Sequence, residues 1–215
     1  MRWFRELFGA ALLLCVIASS SWSKAGVTSD VNRVNRSIAV ALPRALPQVI
    51  IGNPKGHDIV FEYYDYRCPF CRRMEPAMIE MGKEDPEMRL VLKPWPIFGP
   101  TSTYAARVAI AASWQNKLSA VHEALFAATG PLDRQRIRSI ARSVGVDLKR
   151  LTNDLKDRRQ ELDLILASDA AEAGALRLKG TPGLVIKRQI VRGAVTLRDL
   201  QSLIRDEYPH AGSPQ

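Results

Sequence analysis

Between residues 58 and 191 the apolar residues follow two patterns. Short continuous runs near both ends of this region are typical of buried strands, and the apolar residues between them have helical spacing. Residues 58–64, with β-branched and aromatic side chains, predict a buried strand. Residues 68–83 predict a helix that contains Pro76 and ends before Pro86. Residues 88–93 predict a second strand. Gly52-Asn53-Pro54-Lys55-Gly56, ahead of the first strand, is a turn sequence.

Beyond the second strand the apolar spacing is almost entirely helical. The breaks at Gly130-Pro131 and the capping residues Asp133 and Asp147 divide this block. The predicted helices cover residues 102–114, 117–128, 133–145, 147 onward and 158–178. Strand character returns at 184–186 and 189–191, before a last helix from Thr196 to about residue 208. This order predicts an α/β fold, a mixed sheet (residues 50–101 and 179–210) with an all-helical insertion (102–178).

The first residues have the features of a secretory signal peptide. Arg2 and Arg5 precede an apolar run over residues 7–18, and small residues follow it. The run is shorter than the ~20 residues that a membrane-spanning helix needs. Lipidation at Cys15 is disfavoured because a bulky leucine precedes it. We expect residues 1–23 to be cleaved, with cut sites after residue 20, 23 or 25, and the mature protein to be secreted into an oxidising compartment.

An N-terminal arm, residues 24–49, carries a short heptad pattern. Its apolar positions are spaced 4, 3, 4 and 3 residues apart; they are Val27, Val31, Val34, Ile38 and Ala41. Two heptads are marginal for a coiled coil. Residues 27–41 are therefore a candidate homo-oligomerisation helix, and the alternatives are a helix packed on its own domain and a loose arm.

The charge balance is basic, with 31 Lys and Arg against 22 Asp and Glu and a net charge of +9. A basic surface can attract an acidic partner or an anionic membrane, or it can simply be well solvated. No block of basic residues is interleaved with aromatic residues as a nucleic-acid groove requires. We therefore expect no nucleic-acid partner.

Cysteine usage points to redox chemistry. Of three cysteines, Cys15 lies in the signal segment, which leaves Cys68-Pro69-Phe70-Cys71 at the junction of a predicted strand and helix. A disulfide across so short a loop constrains the unfolded chain little, so a structural role is disfavoured. A zinc site needs two more ligands, and the three histidines are scattered. Copper(I) binding by the two thiols remains an alternative.

The position of each thiol suggests its role. Cys68 lies at the first helical turn, where backbone N–H groups and the helix dipole stabilise a thiolate. Cys71, one turn further in, is expected to be more buried and to act as the resolving thiol. Pro69 suits the first turn. Phe70 offers no hydrogen bond to a thiolate.

Four residues outside this motif are further candidates. Glu62 stands in an apolar strand on the same face as Val60 and Tyr64. If buried, its carboxyl group would have a raised pKa and could accept the proton of the resolving thiol; the alternative is an exposed edge position. Lys93, on the second strand, is a candidate ion-pair partner of Glu62, or else an exposed lysine. Thr181-Pro182 lies just before a late strand.

The combination resembles the thioredoxin-fold DsbA family of thiol–disulfide oxidoreductases. Within that family, residues 61–71 and 96–100 are most similar to the suppressor-of-copper-sensitivity C and Com1-type branch, and the likeness spans residues 50–207. It implies that Cys68 is the nucleophile, Cys71 the resolving cysteine and Glu62 the buried acid. It also implies that Pro182 is a cis-proline facing the disulfide, with Thr181 pairing to an extended substrate.

Four features depart from the pattern of that family. Phe70 occupies the position of a histidine in strongly oxidising members, and threonine before the cis-proline is more usual in isomerase-like members. The arm at 24–47 is shorter than the trimerisation stalk of the copper-tolerance proteins. Gly183-Leu184 lacks the aromatic residue often found after the proline.

These features together predict a periplasmic enzyme that exchanges disulfides with cysteine-containing secreted proteins, without a cofactor or metal. Phe70, Thr181 and Pro182 are the expected substrate-binding residues. A membrane redox partner, DsbB-like or DsbD-like, is expected. The oxidase direction is slightly favoured. Alternatives are a disulfide isomerase or reductase, a copper(I)-binding copper-tolerance protein and a non-catalytic peptide-binding module.

Overall fold

A computed structural model describes residues 49–187 and 189–205. Five strands in this part form one mixed sheet of order β1-β3-β2-β4-β5. Strands β2 and β3 are parallel, and the other neighbours are antiparallel. The strands are β1 (Val49–Gly52), β2 (Asp58–Tyr64), β3 (Met88–Pro94), β4 (Gly183–Ile186) and β5 (Gln189–Arg192).

Seven helices accompany the sheet in the described part of the chain. The first connects the parallel strands β2 and β3, as a parallel pair requires a crossover connection. The next five lie in sequence between β3 and β4, where the insertion is predicted. The helices are α1 (Pro69–Glu84), α2 (Pro100–Ser113), α3 (Leu118–Ala127), α4 (Arg134–Ser143), α5 (Leu148–Asp157), α6 (Arg159–Ala175) and α7 (Leu197–Ile204).

Local sequence explains where several helices begin. The Asp133 carboxylate accepts from the Arg136 N–H at the start of α4, and Asp147 accepts from the N–H groups of residues 149 and 150 at the start of α5. Thr196 forms a capping box with Asp199 at the start of α7. Helix α2 begins at Pro100, two residues before the predicted start, because proline suits the first turn.

The two faces of the sheet pack against different elements. Val60 and Tyr64 point into the larger core together with α1 and the inserted helices, whereas Phe61 and Tyr63 belong to a second cluster that contains Val185 and residues of the α6 end. Alternation along β2 therefore places residue 62 in the larger core, facing α1.

One strand is not predicted from the sequence. β1, Val49–Gly52, pairs antiparallel with β3 and forms an edge of the sheet. Residues 1–48, which include the signal segment and the candidate oligomerisation helix at 27–41, lie outside the described residues, as does the end of the last predicted helix beyond residue 205. Among the helices that the structure describes, none has the length and apolar character needed to cross a bilayer.

Candidate active site

The strand-to-helix junction fixes the two thiols. Cys68 is the N-cap of α1, its backbone is extended (φ −73°, ψ 120°), and Pro69 occupies the first turn. The Cys68 N–H donates to the Asp65 carbonyl at 3.0 Å, and the Arg72 N–H donates to the Cys68 carbonyl at 3.1 Å. The sulfur of Cys68 therefore lies at the positive end of a sixteen-residue helix.

Both cysteines are free, and both are buried, with 1% and 0% of their surface exposed. The Cys68 thiol donates to the Thr181 carbonyl at 3.1 Å. A hydrogen bond from the Cys71 thiol lowers the pKa of Cys68 to about 5 against the opposing effect of burial, with help from the Thr181 side chain and from the N–H groups of residues 70 and 71. Phe70 lacks a polar group, and these neighbours supply the stabilisation instead.

Cys71 responds in the opposite direction. Its hydrogen bond to Cys68, its burial and the negative charge of Glu62 raise its pKa above the ordinary value for a thiol. Two thiols one helical turn apart therefore differ strongly in acidity. A stable thiolate and a protonated neighbour are the arrangement that a nucleophile and its resolving thiol require.

The segment opposite the thiols contains Thr181 and Pro182, and the peptide bond between them is cis. Strand β4 starts at the next residue, and its register pairs Gly183 with Tyr63 of β2. This pairing places the Thr181 carbonyl next to the Cys68 sulfur. Pro182 itself is buried.

An exposed apolar surface surrounds the motif. Phe70, Ile97 and Phe98 are 52%, 42% and 44% exposed. The buried Asp65 carboxylate accepts from the N–H groups of Ile97 and Phe98 at 2.8 and 2.9 Å, and the Arg67 guanidinium donates to the Phe98 carbonyl at 2.6 Å. The turn before α1 and the loop before α2 are thus tied together. Sequence reasoning did not single out Asp65.

Glu62 lies inside the larger core and is completely buried. Neither of its carboxylate oxygens has a hydrogen-bond partner. Burial raises the pKa of this carboxyl well above its usual range, and the nearby negative charges of Glu75 and Cys68 add to the effect. The side chain follows the face of Val60 and Tyr64, as the alternation predicts, and the exposed-edge alternative is wrong.

The predicted partnership of Glu62 with Lys93 is wrong. In the parallel register Lys93 is paired with Tyr63 and Leu92 with Glu62, so Lys93 points to the opposite face of the sheet. Its ammonium group pairs with Asp169 at 3.1 Å and with Glu172 at 3.0 Å, both on α6. Lys93 thus attaches α6 to the sheet, and the alternative of an exposed lysine fails as well.

The neighbours of Glu62 are instead Glu75 on α1 and His122 on α3. One ligand-type atom of each of these three buried residues lies within 4.8 Å of the others, a spacing at which a metal ion could be held. His122 Nε2 is 3.3 Å from the Glu75 carboxylate, and His122 Nδ1 is 3.0 Å from the Tyr66 hydroxyl. Sequence spacing could not find this cluster, since its members come from three separate elements.

Comparison with known proteins agrees with the fold. The family described as DSBA-like thioredoxin domain matches residues 59–205. A thioredoxin-like oxidoreductase from Silicibacter pomeroyi DSS-3 is 36% identical, with a TM-score of 0.70 over 75% of this chain and 92% of that chain. These matches confirm a thioredoxin-like α/β fold with a mixed sheet.

Two more distant structures share the fold alone. The thiol-disulfide exchange protein alpha-DsbA2 from Wolbachia pipientis is 20% identical, with a TM-score of 0.78 over 86% of this chain and 99% of that chain. The catalytic domain of Proteus mirabilis ScsC is 23% identical, with a TM-score of 0.70 over 80% of this chain and 97% of that chain.

Curated relatives with detectable sequence similarity are longer proteins. The Na(+)/H(+) antiporter NhaA 1 of Salinispora arenicola is 28% identical over 151 residues, which are 69% of this chain and 23% of the antiporter. The chain therefore spans about a quarter of the length of the curated relatives it matches.

Proposed function

The chain belongs to the DSBA-like thioredoxin domain family, and on this premise we propose that it is a thiol–disulfide oxidoreductase that reacts through Cys68 and Cys71. The observation that carries the proposal is the contrast between the two thiols: the pKa of Cys68 is lowered to about 5, whereas that of Cys71 is raised. The thiolate is the reactive form in disulfide exchange, so Cys68 is the sulfur that substrates meet.

In the oxidase direction the cysteines begin as a disulfide. A substrate thiolate attacks the Cys68 sulfur, and the Cys71 sulfur leaves with the electron pair of the broken bond and takes up a proton. A second substrate thiolate then attacks the substrate sulfur of the mixed disulfide. The substrate disulfide forms, and Cys68 leaves as a thiolate.

The low pKa of Cys68 favours this direction. A thiolate that is stable at neutral pH is a good leaving group, and it stabilises the reduced form of the enzyme. A cysteine pair whose reduced form is stabilised is a strong oxidant when it is in the disulfide form. We therefore assign the oxidase direction, with isomerase or reductase activity as the alternative that the redox potential decides.

Glu62 is the proposed proton acceptor and donor for Cys71. The negative charge of Glu62 raises the pKa of the Cys71 thiol, which supports an interaction between the two groups. The raised pKa of the Glu62 carboxyl suits proton exchange with a thiol near neutral pH.

The surface around Cys68 is the proposed binding site for substrate. Thr181 presents its backbone beside the Cys68 sulfur, in a position to pair with an extended peptide, and Pro182 precedes β4 at the same place. Phe70, Ile97 and Phe98 supply exposed apolar area for side chains of an unfolded substrate.

We place the protein in the periplasm, exported through the signal segment at residues 1–23. A structure similar to this chain, from Salmonella enterica serovar Typhimurium, is described as a periplasmic thioredoxin-like protein. The proposed partners are cysteine-containing secreted proteins and a membrane redox partner, DsbB-like or DsbD-like. Homo-oligomerisation through residues 27–41 is part of the same proposal.

Trapping of mixed disulfides tests the assignment. Cys71→Ser keeps Cys68 but removes the resolving thiol. It should therefore accumulate mixed disulfides between Cys68 and secreted proteins that are reduced and then allowed to reoxidise. These mixed disulfides should disappear on addition of dithiothreitol. Cys68→Ser is the matched control and should form none. A reduced protein that binds one copper(I) tightly but neither oxidises nor reduces a peptide disulfide would refute the proposal and favour copper binding.

A further inference from the structure

His122 is an unusual residue to find in the closed core beneath the thiols. It is completely buried on α3, and the rings of Tyr64, Tyr66 and Phe126 lie 5.1, 5.5 and 5.0 Å from its own. A buried histidine inside an aromatic cluster is commonly held by hydrogen bonds on both ring nitrogens. Here Nδ1 meets the Tyr66 hydroxyl, but Nε2 makes no hydrogen bond.

The free nitrogen points toward carboxylates. His122 Nε2 lies 3.3 Å from Glu75, which is 5% exposed, and the Glu62 carboxylate falls in the same 4.8 Å cluster. The charges that act on Glu62 come from Glu75 and Cys68, and both are negative. A second carboxylate in a dry core is costly unless a positive charge or protons compensate it.

Proton count decides what the cluster can do. The two carboxyl groups and the imidazole have no net charge in two cases. Either both carboxyl groups are protonated and the imidazole is neutral, or one carboxyl group has given its proton to the imidazole. With the imidazolium present, one carboxylate remains, and it can be that of Glu62 or that of Glu75. An ionised Glu62 is then compatible with a neutral cluster, which two carboxyl groups alone do not allow.

We propose that His122 is a positioning residue for Glu62: its imidazole supplies the positive charge that keeps Glu62 able to accept the proton of Cys71. The inference rests on the proposed function of Cys68, Cys71 and Glu62, and it adds the residue that controls the pH range of the resolving step.

The step is balanced within the site. During escape from a mixed disulfide, Cys71 gives its proton to the Glu62 carboxylate. The Cys71 sulfur forms a bond to the Cys68 sulfur, the bond between Cys68 and the substrate breaks, and the substrate sulfur leaves as a thiolate with the electron pair. Within the cluster, Glu75 comes from α1 and His122 from α3. The titratable groups around them are Tyr64 at the end of β2, Tyr66 in the turn after it, and Cys68 and Cys71 at the start of α1.

Protons fit this cluster better than a metal ion does. The three residues are between 0% and 5% exposed, and aromatic rings cover the imidazole, so neither an open coordination position nor an entry path is evident among the described residues.

Two substitutions with opposite predicted effects test the proposal. The reduced protein is mixed with an aromatic disulfide reagent that releases one coloured thiolate when Cys68 attacks and a second when Cys71 resolves the adduct. His122→Gln should move the pH midpoint of the second phase upward by about one unit, a tenfold change in proton affinity, because Glu62 then stays protonated to higher pH. Glu75→Gln should move it downward, because a negative neighbour is lost.

The first phase, which reports Cys68, should keep its midpoint in both variants. His57→Gln is the matched control, because His57 is 89% exposed and pairs with Glu87 at the surface; neither phase should change. Opposite shifts are not expected from a packing defect.

Each remaining outcome has a distinct meaning. A wild-type protein without a second phase would refute the proposed function itself. A normal wild-type second phase with unchanged midpoints in both variants would refute only the role of His122. If His122→Gln does not fold, the Glu75→Gln midpoint decides, and an unshifted value overturns the proposal. One equivalent of a divalent metal in the purified wild type, lost in Glu75→Gln, would overturn it in favour of a metal site.

Discussion

The hydrogen bond between the two thiols is the largest of the interactions that make Cys68 acidic. Removal of the Cys71 thiol by Cys71→Ala deletes the largest of the interactions that lower the pKa of Cys68 from its ordinary value to about 5. Cys71→Ser retains a hydroxyl donor at the same position. Alanine should therefore raise the pKa of Cys68 clearly, and serine should raise it less.

The size of the shift follows from the strength of a hydrogen bond to a charged group. Such a bond contributes about 1.5–3 kcal/mol, which corresponds to about 1–2 pH units. The pKa of Cys68 should move from about 5 into the range of roughly 6–7 in Cys71→Ala. At pH 6 the thiolate fraction should fall from about 90% to between roughly 10% and 50%.

Alkylation of Cys68 by iodoacetamide, followed as a function of pH, measures this directly. Neither variant contains a second cysteine once the signal segment is removed, so the reaction reports one thiol. The reasoning fails if alanine and serine give the same midpoint near 5. The helix N-terminus and the Thr181 side chain would then be sufficient to stabilise the thiolate.

Three further predictions follow from the same site and from the ion pairs behind it. Phe70→His should place a hydrogen-bond donor beside the thiolate, lower the pKa of Cys68 further and make the disulfide more oxidising; an unchanged alkylation profile would contradict this. Glu62→Gln should slow the resolving step by about tenfold or more while leaving alkylation of Cys68 unchanged, as the loss of a proton acceptor predicts. Burial raises the pKa of Asp169 to about 7 despite the opposing charge of Lys93, so the folded protein keeps a proton that the unfolded chain loses above about pH 4. The free energy of unfolding should therefore fall as the pH rises from about 4 to 7, by at most about 4 kcal/mol. Urea titrations at several pH values should show a weaker pH dependence of this free energy in Asp169→Asn than in the wild type. An equal pH dependence in both proteins would refute the prediction.

The sequence was sufficient for the order of elements because each signal is local. Helix caps and apolar runs depend only on near neighbours. The structure contains the predicted caps at Asp133 and Asp147 and the predicted strand at residues 58–64. The strand β1 was missed because four residues beside a turn sequence carry little periodicity, and its pairing with β3 depends on contacts across the fold.

The site was predictable where residue type alone narrows the chemistry. A single cysteine pair at a strand–helix junction needs no structure to suggest disulfide exchange, and alternation placed Glu62 in the core. Its partners were not predictable. Lys93 is a candidate partner of Glu62 from its position on the second predicted strand, but the parallel register turns its side chain to the other face of the sheet. His122, 60 positions from Glu62, reaches it only through the packing of α3 on α1.

The reduction potential of the Cys68–Cys71 pair, measured by equilibration with glutathione redox buffers, tests the central claim most directly. The stabilised Cys68 thiolate predicts an oxidising pair, with a potential between roughly −200 and −120 mV at neutral pH. A value near the roughly −270 mV of thioredoxin would contradict the oxidase assignment. A pair that forms no disulfide in any buffer would contradict disulfide exchange altogether.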